Sequence, residues 1–214
     1  MRRNLAGLML LACFSLAACS AKDAAPKMES PQGALAVAGF TNPRFNWELL
    51  AGYLPEEGQR VKRDDMDKLN FLLLSVLQEH GVTDFVSPRI TRQCQEIVVF
   101  ETVESTREAA FKYWLRVGEC AKADYLLLPQ VLSYQDRTGG EWGSQTPAAA
   151  VFDLFLIDVK NKTIAGRYHF EEEQQALTDN ILSVDKFIQR GGRWLSGEEL
   201  AREGLEAGLR ELGL

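Results

Sequence analysis

Apolar positions fall into blocks along the chain, and the spacing within each block separates strands from helices. Leu35 to Phe40 is short and almost continuously apolar, as a strand covered on both faces is. Met66, Leu69, Leu73, Val76, Leu77 and His80 recur at helical spacing behind Asp64 and Asp65, which can cap the segment, and Gly81 stops it. Val82 to Val86 predicts a short strand ended by Pro88. Between Thr91 and Glu104 the signals conflict: Ile97 to Phe100 is apolar and largely β-branched while its flanks are polar, so the stretch is read as irregular. Ser105 with Glu108 has the form of a capping box for a helix striped by Ala110, Phe111, Trp114, Leu115 and Val117.

Asp124 to Leu132 is the clearest central strand. Val151 to Val159 and Ile164 to Phe170 flank the turn Lys160-Asn161-Lys162 and predict an antiparallel hairpin. In its second strand Ile164, Gly166, Tyr168 and Phe170 face one way, while Arg167, His169 and Glu171 face the other and make a wet side. Ser196 and Glu199 form a second capping box, ahead of a terminal helix lined by Leu200, Leu205, Leu209 and Leu212. Gly204 and Gly208 lie near that stripe. Glycine costs helix stability, so their presence predicts close approach of a neighbouring element.

These elements predict an α/β fold: a single mixed sheet with helices packed on it, ending in an antiparallel hairpin and a C-terminal helix, over residues 35–214. Thr41 to Lys62 reads mostly as loop, with a short helical turn between Trp47 and Tyr53. The stretch with Gly139, Gly140, Gly143 and Pro147 reads as a loop, and residues 171–195 as acidic and then irregular. Residues 20–34 are small and polar with Pro26 and Pro31, the composition of a flexible tether.

The front of the chain has a different pattern. Arg2-Arg3 precede an apolar run from Leu5 to Phe14, and Leu16-Ala17-Ala18-Cys19 closes it, the anatomy of a secretory signal. The run is short of the ~20 residues that span a bilayer. Its ending resembles the lipobox of bacterial lipoproteins. That resemblance implies a signal over residues 1–18, lipid on Cys19 and a lipidated tether over residues 19–34. Ser20 follows the cysteine where inner-membrane retention uses an acidic residue, so the resemblance further implies the periplasmic face of the outer membrane.

Arg2 and Arg3 are the charged residues of that signal, and their removal takes the formal charge from -6 to -8. An acidic surface argues against nucleic acid and against electrostatic adhesion to anionic lipid. With Cys13 in the signal and Cys19 lipidated, Cys94 and Cys120 remain as a disulfide pair suited to an oxidising compartment, with two buried free thiols as the alternative. The spacing and histidine partners of a zinc site are lacking.

A catalytic set needs a nucleophile with a base, paired carboxylates or a metal cluster. Histidine is scarce: His80 ends a helix and His169 sits on a polar strand face. Asp153 and Asp158 are an odd number of positions apart and point to opposite faces of a strand, so they cannot share a proton. Glu171-Glu172-Glu173 lacks the glycine and alternating oxygens of a calcium loop and reads as a solvated face. Gly139-Gly140-Glu141-Trp142-Gly143 has no lysine-serine or lysine-threonine pair after it and no helix opening behind it, so no phosphate loop is read there. One Arg190-Gly191-Gly192-Arg193 is no RNA-binding repeat. No catalytic residue, metal set or cofactor is therefore expected. What remains is surface: Trp142 and Trp194 in loops, with Arg190 and Arg193 beside the second, either pack back on the core or contact a partner.

Val37-Ala38-Gly39-Phe40-Thr41-Asn42, Ala123-Asp124-Tyr125-Leu126-Leu127-Leu128 and Leu154-Phe155-Leu156-Ile157-Asp158-Val159, in this order of elements, resemble the domain shared by the curli-secretion lipoprotein CsgG, the amino-terminal domain of TolB and the lipoprotein activators of penicillin-binding proteins. The resemblance covers residues 35–212 and implies a non-enzymatic envelope protein that binds other proteins or assembles. The segment from Glu171 to Trp194 does not match, and no amphipathic hairpin is long enough for a secretion pore. The expected function is a lipid-anchored periplasmic protein-binding module. A homo-oligomerising assembly component is the alternative, and an envelope hydrolase the third reading.

Overall fold

In the computed structural model, residues 28–55, 61–98, 105–140, 143–174 and 195–214 are described. Cys19, Trp142, Arg190, Arg193 and Trp194 lie outside them. The strands are β1 (Leu35–Val37), β2 (Tyr125–Gln135), β3 (Thr138–Gly140), β4 (Gly143–Thr146), β5 (Ala149–Asp158) and β6 (Thr163–Glu173). The helices are α1 (Arg63–Glu79), α2 (Pro88–Ile97), α3 (Arg107–Cys120) and α4 (Gly197–Glu211). One four-stranded mixed sheet has the order β1-β2-β5-β6, with β1 parallel to β2 and the other pairs antiparallel.

Strand alternation sends side chains from the two faces into two cores. Leu127, Val131, Phe152, Leu154 and Leu156 pack with α1 and α4, while Leu126, Leu128, Phe155, Ile157 and Val159 pack under α2 and α3. The expected mixed sheet, hairpin and terminal helix are therefore present. The Ser196–Glu199 capping box forms with both of its hydrogen bonds. Close approach explains the α4 glycines: a Cβ at Gly204 would lie 2.6 Å from Phe170 Cγ, and one at Gly208 would lie 2.5 Å from Tyr168 Cδ1.

Several local expectations are corrected. The first part of the stretch read as irregular, Thr91 to Ile97, belongs to α2, which Pro88 opens at its first turn instead of ending a strand, while residues 99–104 lie outside the described residues. Its buried contacts are Thr91 and Cys94, and Thr91 Oγ1 donates to the Val37 carbonyl at 2.9 Å, so a polar residue occupies the core-facing position. The predicted strand from Val82 to Val86 contracts to a single parallel bridge between Val86 and Ala36. Thr106, not Ser105, caps α3, its Oγ1 accepting from the Ala109 amide, and Glu108 pairs with Lys112 at 2.6 Å. The Trp47 to Tyr53 stretch makes turns without a helix. The glycine-rich loop carries the two-stranded β3–β4 hairpin.

A register shift between Leu156 and Ile157 places Ile164 opposite Ile157, while Gly166 stays opposite Leu156. Ile164 thus joins the opposite face from Gly166, Tyr168 and Phe170, because one extra residue in a strand reverses its alternation. At the front, Met28 packs on the α1–α4 core, with its sulfur 3.0 Å from where a Gly166 Cβ would be. The last part of the expected tether is therefore in contact with the domain.

Candidate functional site

The face of the sheet under α3 carries a row of polar residues across three strands. Gln130 on β2 lies opposite Asp153 on β5, and Asp153 lies opposite His169 on β6. Thr41 extends the row through an isolated bridge to Gln130. Gln130 and Asp153 are buried. Burial of such groups is tolerated when they are hydrogen-bonded, and here the bonds organise the loop that follows β1.

Gln130 Nε2 donates to the Glu48 carbonyl at 3.1 Å, and its Oε1 accepts from the Leu50 amide at 3.4 Å. Arg107, in the first turn of α3, donates from Nε to the Asn46 carbonyl at 3.2 Å and from Nη2 to the Gly52 carbonyl. Asn46 Oδ1 in turn accepts from the Leu54 amide at 2.8 Å, and Glu48 Oε2 accepts from the Arg44 and Phe45 amides. Gly52 has φ +76°, and a Cβ there would come 3.0 Å from Arg167 Nη2. The loop is thus held from the sheet, from α3 and from within.

Asp153 Oδ1 accepts from Arg167 Nε at 2.9 Å, and Nη2 lies 2.9 Å from the same oxygen. His169 Nδ1 is 3.0 Å from it, and the Nε2 of the same ring is 3.4 Å from Glu171. Asp153 Oδ2 is buried without a hydrogen-bond donor among the described residues. The wet face of β6 is therefore real, but two of its side chains reach inward to a buried carboxylate. His169 is a hydrogen-bonding neighbour of Asp153 in this arrangement. His80 lies on the other side of the sheet, where its Nδ1 is 3.3 Å from the Leu214 oxygen, so the two histidines do not converge.

The held loop and α3 enclose a cleft of about 360 Å³. Its walls are Pro43, Trp47, Ala110, Tyr113 and Trp114, and Thr41, Asn42, Glu48 and Gln130 supply its polar groups. Trp114 is buried and meets Tyr113 edge-on, with ring centroids 5.3 Å apart. Burial raises the Tyr113 phenol above its ordinary pKa, which keeps the hydroxyl protonated to donate to the Gln95 carbonyl at 3.2 Å. Beside the cleft Phe45 stacks on Trp47 with rings 7° from parallel, and Arg107 sits 5.1 Å from the centroid of Tyr53. Phe45 is 56% exposed and Tyr53 77% exposed, so the loop presents aromatic surface to solvent in a fixed arrangement.

Cys94 on α2 and Cys120 at the end of α3 are bonded, with Cα atoms 5.7 Å apart. The expected bridge thus ties together the two helices that cover this face. Among the described residues, no group of three His, Cys, Asp or Glu side chains is placed to hold a metal ion. No described helix is long and apolar enough to cross a membrane. Sequence reading missed the cleft: it placed partner contacts at Trp142 and Trp194, which lie outside the described residues, and passed over Trp47. The available signal was Phe45, Trp47 and Tyr53 clustered in a loop, together with Gln130 and Asp153 inside apolar strands.

No protein-family model matches the chain, and no curated protein matches it. Among solved structures it is similar to the PelC dodecamer from Paraburkholderia phytofirmans, with 14% identity over 87% of this chain and 94% of that one and a TM-score of 0.46. It is similar to the LpoB C-terminal domain from Salmonella enterica, with 12% identity, coverage of 68% and 85%, and a TM-score of 0.38. A lipoprotein from Neisseria meningitidis gives 13% identity, coverage of 74% and 97%, and a TM-score of 0.36.

Proposed function

We propose that this chain is a lipid-anchored envelope lipoprotein acting as a non-enzymatic periplasmic protein-binding module, and that it engages its partner through the cleft beside the loop of residues 41–54. The observation that carries this reading is the pre-organised aromatic loop. Burial of Gln130 and the two bonds from Arg107 hold Phe45, Trp47 and Tyr53 in place before any partner arrives, so little conformational entropy is lost on docking. Exposed aromatic side chains around a concave site have the composition of binding hot spots. The lipobox-like Leu16-Ala17-Ala18-Cys19 supports attachment at Cys19, and Ser20 supports the outer membrane as its location.

The test is a photo-crosslinking residue placed at Tyr53 in living cells, compared with the same residue at exposed Glu119. A discrete adduct with another envelope protein, specific to Tyr53, is the expected result. An adduct of twice the chain's mass would favour homo-oligomeric assembly instead, a reading supported by β6, which pairs on one side only among the described residues. Identical adducts at both positions would sink the reading.

A further inference from the structure

We infer that the cleft beside the 41–54 loop is a receptor for a single arginine side chain displayed by the partner protein. This rests on the protein-binding reading above and specifies the chemistry that the site recognises. The argument is an accounting of hydrogen-bonding capacity. Three side-chain donors at the cleft are engaged by the chain's own backbone: Asn42 Nδ2 donates to the Val131 carbonyl at 2.9 Å, Thr41 Oγ1 to the Pro129 carbonyl at 3.3 Å, and Gln130 Nε2 to the Glu48 carbonyl. Because the Asn42 partner is a carbonyl, its amide must present nitrogen there, which leaves Oδ1 as the atom with accepting capacity. Glu48 uses Oε2 to hold the Arg44 and Phe45 amides, and its Oε1 has no partner among the described residues.

The lining therefore combines three aromatic rings, one carboxylate with an open oxygen, one open amide oxygen and no lysine, arginine or histidine. Such a site repels an anion. A neutral hydroxylated ligand can use donors of the lining, among them the second amide hydrogens of Asn42 and Gln130, but it leaves the Glu48 charge unanswered. A group that carries positive charge, donates to the carboxylate and has a planar face for the rings answers that charge as well. Guanidinium is that group, since it stacks on aromatic rings and donates in a fixed fork to carboxylate. The guanidinium of Arg107, at the edge of the same loop, is committed to the Asn46 and Gly52 carbonyls. The cleft's volume suits one long side chain. The net charge of -6 adds a favourable long-range field for a basic partner.

The test uses the full folded protein and two short peptides, acetyl-Gly-Arg-Gly-amide and its citrulline counterpart, which keeps the shape of arginine without the charge. Indole N–H resonances of Trp47 and Trp114 report occupancy. The arginine peptide should shift both saturably, with at least tenfold weaker binding for citrulline and a similar loss in Glu48→Gln. The glutamine keeps an amide oxygen for the Arg44 and Phe45 amides, and an unchanged thermal melt verifies its fold. If Glu48→Gln melts early, Trp47→Leu with the same peptides replaces it, and tenfold weaker arginine binding is again expected. Equal binding of the two peptides, stronger binding of N-acetylglucosamine than of the arginine peptide, or no shift of either indole overturns the assignment. The two proposals separate cleanly in cells. A Tyr53 adduct that persists undiminished in Glu48→Gln would refute the arginine site and keep the binding module, whereas absence of any specific adduct refutes the module.

Discussion

Asp153 is the residue on which the α3 face of the sheet turns. It is fully buried, yet it stands between Arg167 and His169, whose side chains are 35% and 39% exposed. A buried carboxylate is tolerated because both partners address its Oδ1, and removing one member of such a pair leaves the other uncompensated. Arg167 can turn toward water, which reduces the cost below that of a fully enclosed pair. We expect Asp153→Ala to lower unfolding stability by about 2 kcal/mol in urea titrations, from lost pairing together with lost packing. Adding Arg167→Leu should recover part of the loss, because no charge is then left seeking a partner. Equal destabilisation by the single and double variants would show that the pairing is not what Asp153 contributes. In sequence, Asp153 is an acid within an apolar run at an odd distance from Asp158, and the two carboxylates have separate partners, Arg167 for the first and Asn161 for the second. Nothing in that spacing points to Arg167 and His169, because the pairing comes from the register of β5 with β6.

At the scale of elements, α4 shows where packing overrules local preference. Helix propensity alone says that alanine at Gly204 would stabilise by about 1 kcal/mol. A Cβ there would meet Phe170 Cγ at 2.6 Å and Phe152 Cζ at 2.7 Å, both stiff ring atoms, and one of those rings is fully buried. Overpacking of this kind costs about 1–3 kcal/mol, so the net sign should reverse. Gly204→Ala is expected to lower the thermal midpoint, and a rise would mean that α4 can lift from the sheet without penalty. The α2–α3 pair is held differently, by the Cys94–Cys120 bond and by the Tyr113 hydroxyl on the Gln95 carbonyl. α2 escaped sequence reading because its core-facing positions are a threonine and a cysteine, so no apolar stripe announces it. Tertiary contact with Val37 supplies what the stripe lacks.

For the whole molecule, the placement of Met28 bears on how an anchor would hold the domain. Met28 packs against the α1–α4 core beside Leu212, whereas the cleft opens on the opposite face of the sheet under α3. The chain therefore enters the domain on the side away from the cleft. If Cys19 carries lipid, nine steps of chain separate it from Met28. Even fully extended, nine steps of chain reach only about 30 Å, which would keep the domain next to the membrane with the cleft turned outward. Cys19→Ala should accordingly move the protein from the membrane to the soluble fraction with an unchanged melting curve. It should also reduce the Tyr53 adduct by lowering the concentration of the site near its partner. Retention of the variant in washed membranes would show that attachment runs through another surface.

The amino-acid sequence determined most elements of the fold and the order in which they run. Each is a local period: near-continuous apolar runs for β2 and β5, helical stripes for α1, α3 and α4, and a capping box at Ser196. It also singled out the cysteine pair and the close approach at Gly204 and Gly208, since both follow from residue types whose chemistry has few uses. Tertiary structure alone decided the site. The cleft exists because Gln130 holds the Glu48–Leu50 backbone across about 80 positions and Arg107 reaches back 55 and 61 positions to Gly52 and Asn46. Periodicity encodes which face a residue takes within its own element. It carries no record of which distant backbone a buried amide or guanidinium will hold, and in this protein those long-range bonds shape the loop that walls the cleft.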